Sequence, residues 1–481
     1  MSTRNLPACL AALLAAAGLV LGGCVAHGDW KPAPQLAPAS LAAERTLAGA
    51  PLDATAWPGD GWWRGYGDPQ LDALVGEALA GSPSLAIAEA RLRAAQAQAL
   101  VASAPLLPQA ALDAEVTRQR YPQNGLYPPP FAGSYSTDGR IAADFSYDID
   151  FWGRNRTLLA AARSGVQVAD ADRAAARLAL AVAVVRAYVQ LDLAYQLLDV
   201  ANDNLAQQNS ILELTQQRVS AGLENQARVK QSEGMVALTR AGVAAAHANI
   251  ELARNQLAAL IGAGPDRGQS LARPQLAAPS GIALPSRLPV DLLGRRPDVA
   301  AARAEVQQAA HGVRAAEADF YPNVNLMAFA GLQSIGLAKL FDASDRILGA
   351  GPALSLPVFN RRQLRGALAA REAQFDESVG RYNQTLIDAV HDVADVVANW
   401  QALERESSEQ QTALAAAQRA YDLTTERYRA GLDNYLSVLS SENQVLLTQA
   451  LRAELKARAL TFSVDLVRAL GGGYAPAAPP A

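Results

Sequence analysis

The sequence predicts an α+β chain made of two copies of one helix–strand–strand–helix unit, with helices too long for a globular domain. Three observations carry this. First, the chain repeats itself: Arg218-Val-Ser-Ala-Gly222-Leu-Glu-Asn225 returns as Arg427-Tyr-Arg-Ala-Gly431-Leu-Asp-Asn434. Gly222 and Gly431 each stand 40 residues before a second glycine (Gly262, Gly471), and Pro83 to Pro108 spans 25 residues, as Pro297 to Pro322 does. Second, no proline interrupts Leu158 to Val219 or Gln363 to Ala430; at 1.5 Å per residue each could run roughly 90–100 Å. Third, four segments of about ten residues alternate apolar and polar, the length that crosses a bilayer as a tilted strand.

Taken in order, residues 1–23 form an export signal. Arg4 is the only charge before the apolar run Leu6 to Leu21, and small residues precede Cys24. Leu21-Gly22-Gly23-Cys24 resembles a bacterial lipobox, which implies that Cys24 is lipidated and begins the mature chain; an ordinary signal peptide with an accidental cysteine is the alternative. Val25, where inner-membrane lipoproteins usually carry Asp, points to the outer membrane. Residues 24–62 hold Pro32, Pro34, Pro38, Pro51 and Pro58 and read as an extended, lipid-anchored segment.

The first repeat spans 63–262, with strands at about 111–119 and 139–151. On the second strand Ile141, Ala143, Phe145, Tyr147, Ile149 and Phe151 share one face, and Asp144, Ser146, Asp148 and Asp150 the other. A Pro-rich linker, 263–296, joins it to the second repeat, 297–473, with strands at about 323–333 and 347–359. Residues 474–481 read as a disordered tail. The last helix carries a heptad seam, Leu436, Leu439, Asn443, Leu446, Ala450, Ala453, Ala457, Leu460, Val464 and Val467, and a second, weaker one through Val438, Val445, Ala459 and Leu466. Neither long helix reads as apolar enough to cross a membrane.

Four strands cannot close a membrane barrel, and lipid does not tolerate open edges. Either the strands form a soluble sheet, or several chains share one barrel. The acidic face opposite the apolar one favours the shared barrel, where a wet lumen solvates carboxylates.

Chemistry-bearing constellations are absent from the sequence. The net charge of −4 gives no footprint for nucleic acid. His27, His247, His311 and His391 form no metal-spaced pair, and no phosphate-cradling loop occurs. No enzyme, cofactor or metal site is expected. Arg295-Arg296-Pro297-Asp298 reads as a helix start rather than a basic patch. Gly222 and Gly431 suit left-handed positions that end a helix, and Asn225 and Asn434, or the acids before them, suit caps of the next.

Several motifs, in one order along the chain, resemble the outer-membrane factor family of TolC-like channels, and its OprM-like lipoprotein efflux branch most. They are Trp62-Trp63 with Tyr66-Gly-Asp68-Pro69, Tyr147-Asp-Ile-Asp-Phe151-Trp-Gly153-Arg154, Leu293-Gly-Arg295-Arg296-Pro297-Asp298, Phe320-Tyr-Pro322, Leu356-Pro357-Val358-Phe359, Arg427-Tyr428-Arg-Ala-Gly431-Leu-Asp433-Asn-Tyr435 and Leu470-Gly-Gly-Gly473. The resemblance implies a homotrimer whose chains each give four strands to one twelve-stranded barrel, continued by a helical periplasmic tunnel. It implies a passive exit duct for small molecules and drugs, working with a periplasmic adaptor (membrane fusion protein) and an inner-membrane RND-type pump. Polypeptide secretion through the same fold and a lipid-anchored coiled-coil scaffold are the alternatives.

The resemblance also implies site residues. The turns at Gly222, Asn225, Gly431, Asp433 and Asn434 would lie at the periplasmic tips, where the pore closes and the adaptor docks. Leu436, five residues after Gly431, would ring the closed pore. The acid expected nine residues after that glycine is replaced by Ser440, and Glu442 lies roughly 200° further round the helix. Arg427 and Tyr428 would hold the closed tips by hydrogen bonds, or serve only in helix packing.

Overall fold

The computed structural model describes residues 30–37, 40–43, 45–47, 57–277, 284, 292–357 and 359–475. The export signal with Cys24 and residues 25–29, part of the linker, and all but the first two residues of the tail lie outside the described residues. The elements run α1 (Pro69–Gly81), α2 (Pro83–Ser103), β1 (Gln109–Arg120), β2 (Tyr135–Ile149), α3 (Arg154–Ser220), α4 (Gln226–Leu260), α5 (Pro265–Gln269), α6 (Leu292–Arg295), α7 (Pro297–Ala318), β3 (Asn323–Ile335), β4 (Arg346–Ser355), α8 (Arg361–Arg429) and α9 (Tyr435–Ala469). The duplication is metrical: α3 and α8 have 67 and 69 residues, and α4 and α9 have 35 each.

Two compact units result, the division falling inside α2, α3, α7 and α8. The first (to Gln35, Ala94–Gln167 and Ala304–Arg381) contains the sheet. Its four strands pair antiparallel in chain order. The register sets Leu112 against Ala143, Ile141 against Leu332, Phe145 against Ala328, Leu326 against Pro352 and Ala330 against Leu348. Because opposed residues share a face, the apolar sets of all four strands coincide. Asp113, Glu115, Arg140 and Asp144 occupy the other face, where Asp113 pairs with Ala142 and Glu115 with Arg140. Phe329 also lies on that face and covers Gly349, where an added Cβ would sit 2.5 Å from the ring. β2 starts at Tyr135, earlier than the clean alternation from Ile141, because pairing with Gln119 and Arg120 carries it through Asp138-Gly139-Arg140. β4 stops at Ser355, two residues before Pro357, which has no N–H to give a ladder.

The described start of the chain is strapped to α8 within this unit. Trp30 donates from Nε1 to Asp376 at 3.0 Å, the Ala33 amide donates to the same carboxylate at 2.8 Å, and the Trp30 ring meets Phe375 edge-on.

The second unit (Leu36–Arg93, Val168–Arg303 and from Tyr382 onward) holds the main core. Leu71, Leu74 and Val75 of α1 pack with Val184, Val185, Tyr188 and Leu191 of α3, Leu257 of α4, and Leu460 and Val464 of α9. That part of α3 corrects the expectation that neither long helix is apolar enough to cross a membrane. One 18-residue window of α3 passes on length and composition, and half of it is buried inside the chain. The buried residues of this helix belong to the core of the unit, which is why they are apolar. Asp68 caps α1 through the Gln70 amide at 2.9 Å and receives the buried Tyr188 hydroxyl at 2.7 Å and the Gln275 amide at 2.8 Å, tying the linker to the helices.

Arg296, the last residue of the linker, has a matching role at the start of the second repeat. It is 5% exposed and donates to Asp298 (2.6 and 3.0 Å), Asp392 of α8 (3.0 Å) and the Ala469 carbonyl of α9 (3.1 Å). Burial acts to raise the Asp298 carboxyl, but its bonds to Arg296 prevail and hold it below the ordinary carboxylate range. The Arg-Arg-Pro-Asp run is thus a structural clamp. Replacing Arg296 with Met strips donors from three elements, and we expect chemical denaturation to show a loss on the order of 2 kcal/mol.

Candidate functional site

The turns at Gly222 and Gly431 are built alike. In each, the helix closes with a pair of reverse bonds: Leu223 N–H to the Arg218 carbonyl (2.9 Å) and Gly222 N–H to Val219 (3.0 Å), then Leu432 to Arg427 (2.8 Å) and Gly431 to Tyr428 (3.1 Å). This is the Schellman closure, and it requires a left-handed residue. Gly222 and Gly431 supply it at φ 73° and 74°. Asn225 and Asn434 cap the following helices, accepting from the amides of Arg228 (3.3 Å) and Ser437 (3.1 Å).

The copies then diverge. Arg427 stays within its own turn, donating to Asp433 at 3.3 Å and to the Leu432 carbonyl at 3.4 Å. Asp433 also accepts from the Asn434 amide at 2.8 Å. Hydrogen bonds from Ser437 first, then the Asn434 amide and Arg427, hold its carboxyl below the ordinary range. Arg218, the repeat counterpart of Arg427, reaches across to the other turn. It donates to the Tyr428 carbonyl at 2.8 Å, and its guanidinium lies 4.6 Å from the centre of the Tyr428 ring. Tyr428 is fully buried with Ile211, Tyr435 and Val438. Its hydroxyl makes no hydrogen bond among the described residues. Within the chain the link at Tyr428 is therefore made by its ring and carbonyl, and the partner is Arg218. Sequence reading passed over Arg218, although its position in the repeat marked it.

Leu436 and Ser440 lie one turn apart on the exposed face of α9, Leu436 being 62% exposed. The opposite face is buried: Tyr435, Val438, Glu442, Val445 and Thr448. In this half of α9 the seam expected to be weaker is the one that packs. The expected main seam takes over from Ala453, through Ala457, Leu460 and Val464. Glu442 is completely buried and accepts from Nε2 of Gln208 on α3 at 2.6 Å. It therefore cannot stand in for an exposed acid at position 440. Among the described residues no group of three His, Cys, Asp or Glu could hold a metal.

A family model described as outer membrane efflux protein matches residues 74–263 and 288–472, one stretch for each repeat. The chain belongs to that family. It is 39% identical over 370 residues to the fusaric acid resistance protein FusA of Burkholderia cepacia, covering 76% of this chain and 69% of that protein. It is 31% identical over 473 residues to the multidrug resistance outer membrane protein MdtP of Escherichia coli strain K12, covering 97% and 96%. The solved structure of the outer membrane protein VceC from Vibrio cholerae superposes with a TM-score of 0.81 at 38% identity, covering 87% of this chain and all of that one. The expected fold class stands: long helices and a four-stranded antiparallel sheet per chain, the fold of trimeric TolC-like channels. The protein is an outer-membrane efflux channel, and this family consists of channels rather than enzymes.

The bracing of the turns gives a contrast to measure. Arg218→Ala removes a buried-ring contact and a charged hydrogen bond, together on the order of 2 kcal/mol. We expect hydrogen exchange to accelerate at both turns. Arg427→Ala removes only exposed bonds and should accelerate exchange at its own turn alone.

Proposed function

We propose that three copies of this chain close one twelve-stranded barrel and form the passive exit duct of a tripartite efflux system. The observation that carries the assembly is the sheet: most of its large apolar residues fall on one face and its acids on the other, and β1 and β4 each have a single neighbour. In hydrocarbon such edges need strand partners, and further copies of the same sheet supply them. The long helices continue the duct into the periplasm. An inner-membrane RND-type pump and a periplasmic adaptor supply energy and grip the tips at Gly222 and Gly431. The cargoes named for FusA and MdtP, and for the pyoverdine export protein OpmQ of Pseudomonas aeruginosa, which is 32% identical, support small-molecule efflux over polypeptide secretion.

The mature chain is anchored by lipid on Cys24. Five residues lie between Cys24 and Trp30, and the six Cα steps between them reach at most about 22 Å. Trp30 is held at Asp376, fifteen residues into α8 and roughly 22 Å along it from the end nearer the sheet. The two lengths match, which supports an acyl chain at the membrane face beside the strands.

Leu436 forms the narrowest ring of the closed duct, at the exposed face of α9, with Ser440 one turn above it in place of an acidic ring. Tyr428 and Arg427 act from behind, through the turn.

Cysteine placed at Asp144 and at Phe145 tests the barrel. Membrane-impermeant maleimide applied to cells should label D144C, and F145C should react only with a lipid-soluble reagent. Equal labelling of both by the aqueous reagent would mean a soluble sheet. For the gate, Leu436→Ser should raise single-channel conductance in planar bilayers severalfold. An unchanged conductance would return Leu436 to a packing role.

A further inference from the structure

Glu442 is the one acid buried completely in the described helices of the second unit, and its surroundings are arranged for a proton. It is 0% exposed and Gln208 is 2% exposed. Gln208 Nε2 donates to Glu442 Oε2 at 2.6 Å. The remaining oxygens of the two side chains, Glu442 Oε1 and Gln208 Oε1, are both buried and both without a hydrogen-bond donor. Two orphan acceptors beside an existing amide-to-acid bond are what a carboxylate leaves behind in an acid–amide pair. A buried acceptor left without a donor opposes packing. A single proton on Glu442 Oε1, shared with Gln208 Oε1, would satisfy both at once.

Among the described residues burial is the cause that acts on the Glu442 carboxyl. The titratable groups that share the acid's field are Tyr421 of α8 and Tyr435 of α9. Both are held above the ordinary phenol range by burial, with the Glu442 charge adding to the rise. Arg429 acts on Tyr421 and Arg228 of α4 on Tyr435. Ser232 of α4 faces Tyr435 and carries no charge.

We propose that Glu442 and Gln208 form a proton-dependent clamp between α3 and α9, closed by an acid–amide pair when Glu442 is protonated and loosened when it ionises. Burial alone pushes the Glu442 carboxyl up from 4.5 to about 7. The packed state therefore holds a proton that an exposed glutamate releases. Acidification through pH 7 favours packing, and alkalinisation through pH 7 opposes it. From pH 6 to pH 8 an exposed glutamate is already ionised while the packed one loses its proton. The local opening equilibrium should then rise about tenfold. The clamp concerns packing and stands whether or not the turns close a pore.

The test is hydrogen exchange on the full chain in lipid nanodiscs at pH 6 and pH 8, corrected for intrinsic exchange. In the wild type, segments 204–215 and 435–450 should lose about tenfold in protection at pH 8, while 180–191 stays level. Glu442→Gln keeps the shape without the titration and should be equally protected at both pH values. Infrared difference spectra should show a carboxylic-acid band at pH 6 that Glu442→Gln lacks. Wild-type protection that does not change between the two pH values would overturn the clamp, as would a slope that survives in Glu442→Gln.

Discussion

A backbone that enters lipid must pair all its N–H and C=O groups, and this single requirement organises the molecule. Each chain carries four strands, so β1 and β4 end the sheet. The register then matters more than any one side chain. It aligns Leu112, Ile141, Phe145, Leu326, Ala330 and Leu348 on one face, while Asp113, Glu115 and Asp144 fall on the other. A slip of one residue in any strand would exchange the two sets. One face suits hydrocarbon, the other suits water, and the edges call for more copies of the same sheet.

The duplication answers that requirement economically. One helix–strand–strand–helix unit, written twice, gives two hairpins and two pairs of long helices. Where the copies agree, they build: nearly equal helix lengths, equal caps, equal glycine turns. Where they differ, they acquire specific contacts. Arg218 braces the opposite turn through Tyr428, while its counterpart Arg427 only folds back on Asp433. Ala227 and Gln231 occupy the places that Leu436 and Ser440 hold in the second copy. The second turn therefore presents an exposed leucine on a helix that is locked from behind by buried tyrosines.

Much of this was legible beforehand. Helix ends followed from glycine and asparagine at fixed offsets, and strand faces from simple alternation, because both are local rules. The stretch Tyr135-Ser-Thr-Asp138, ahead of the strand expected from 139, was less legible, since its pairing comes from β1. The α9 seam was misread near the turn for a related reason. Heptad spacing is met by two faces of that helix, and spacing cannot say which face meets a neighbour. Tyr435, Val438 and Val445 pack, and Leu436 does not.

By itself the sequence determined the repeat, the helix lengths, the turns and the two-sided strands. Each depends on residues close together along the chain. Only the tertiary structure decided that Arg218 finds Tyr428, that Arg296 joins three elements, and that Glu442 faces Gln208 across 234 residues of chain. Those pairings depend on which helix faces lie together in space. That choice is made by burial summed over whole elements rather than by local spacing.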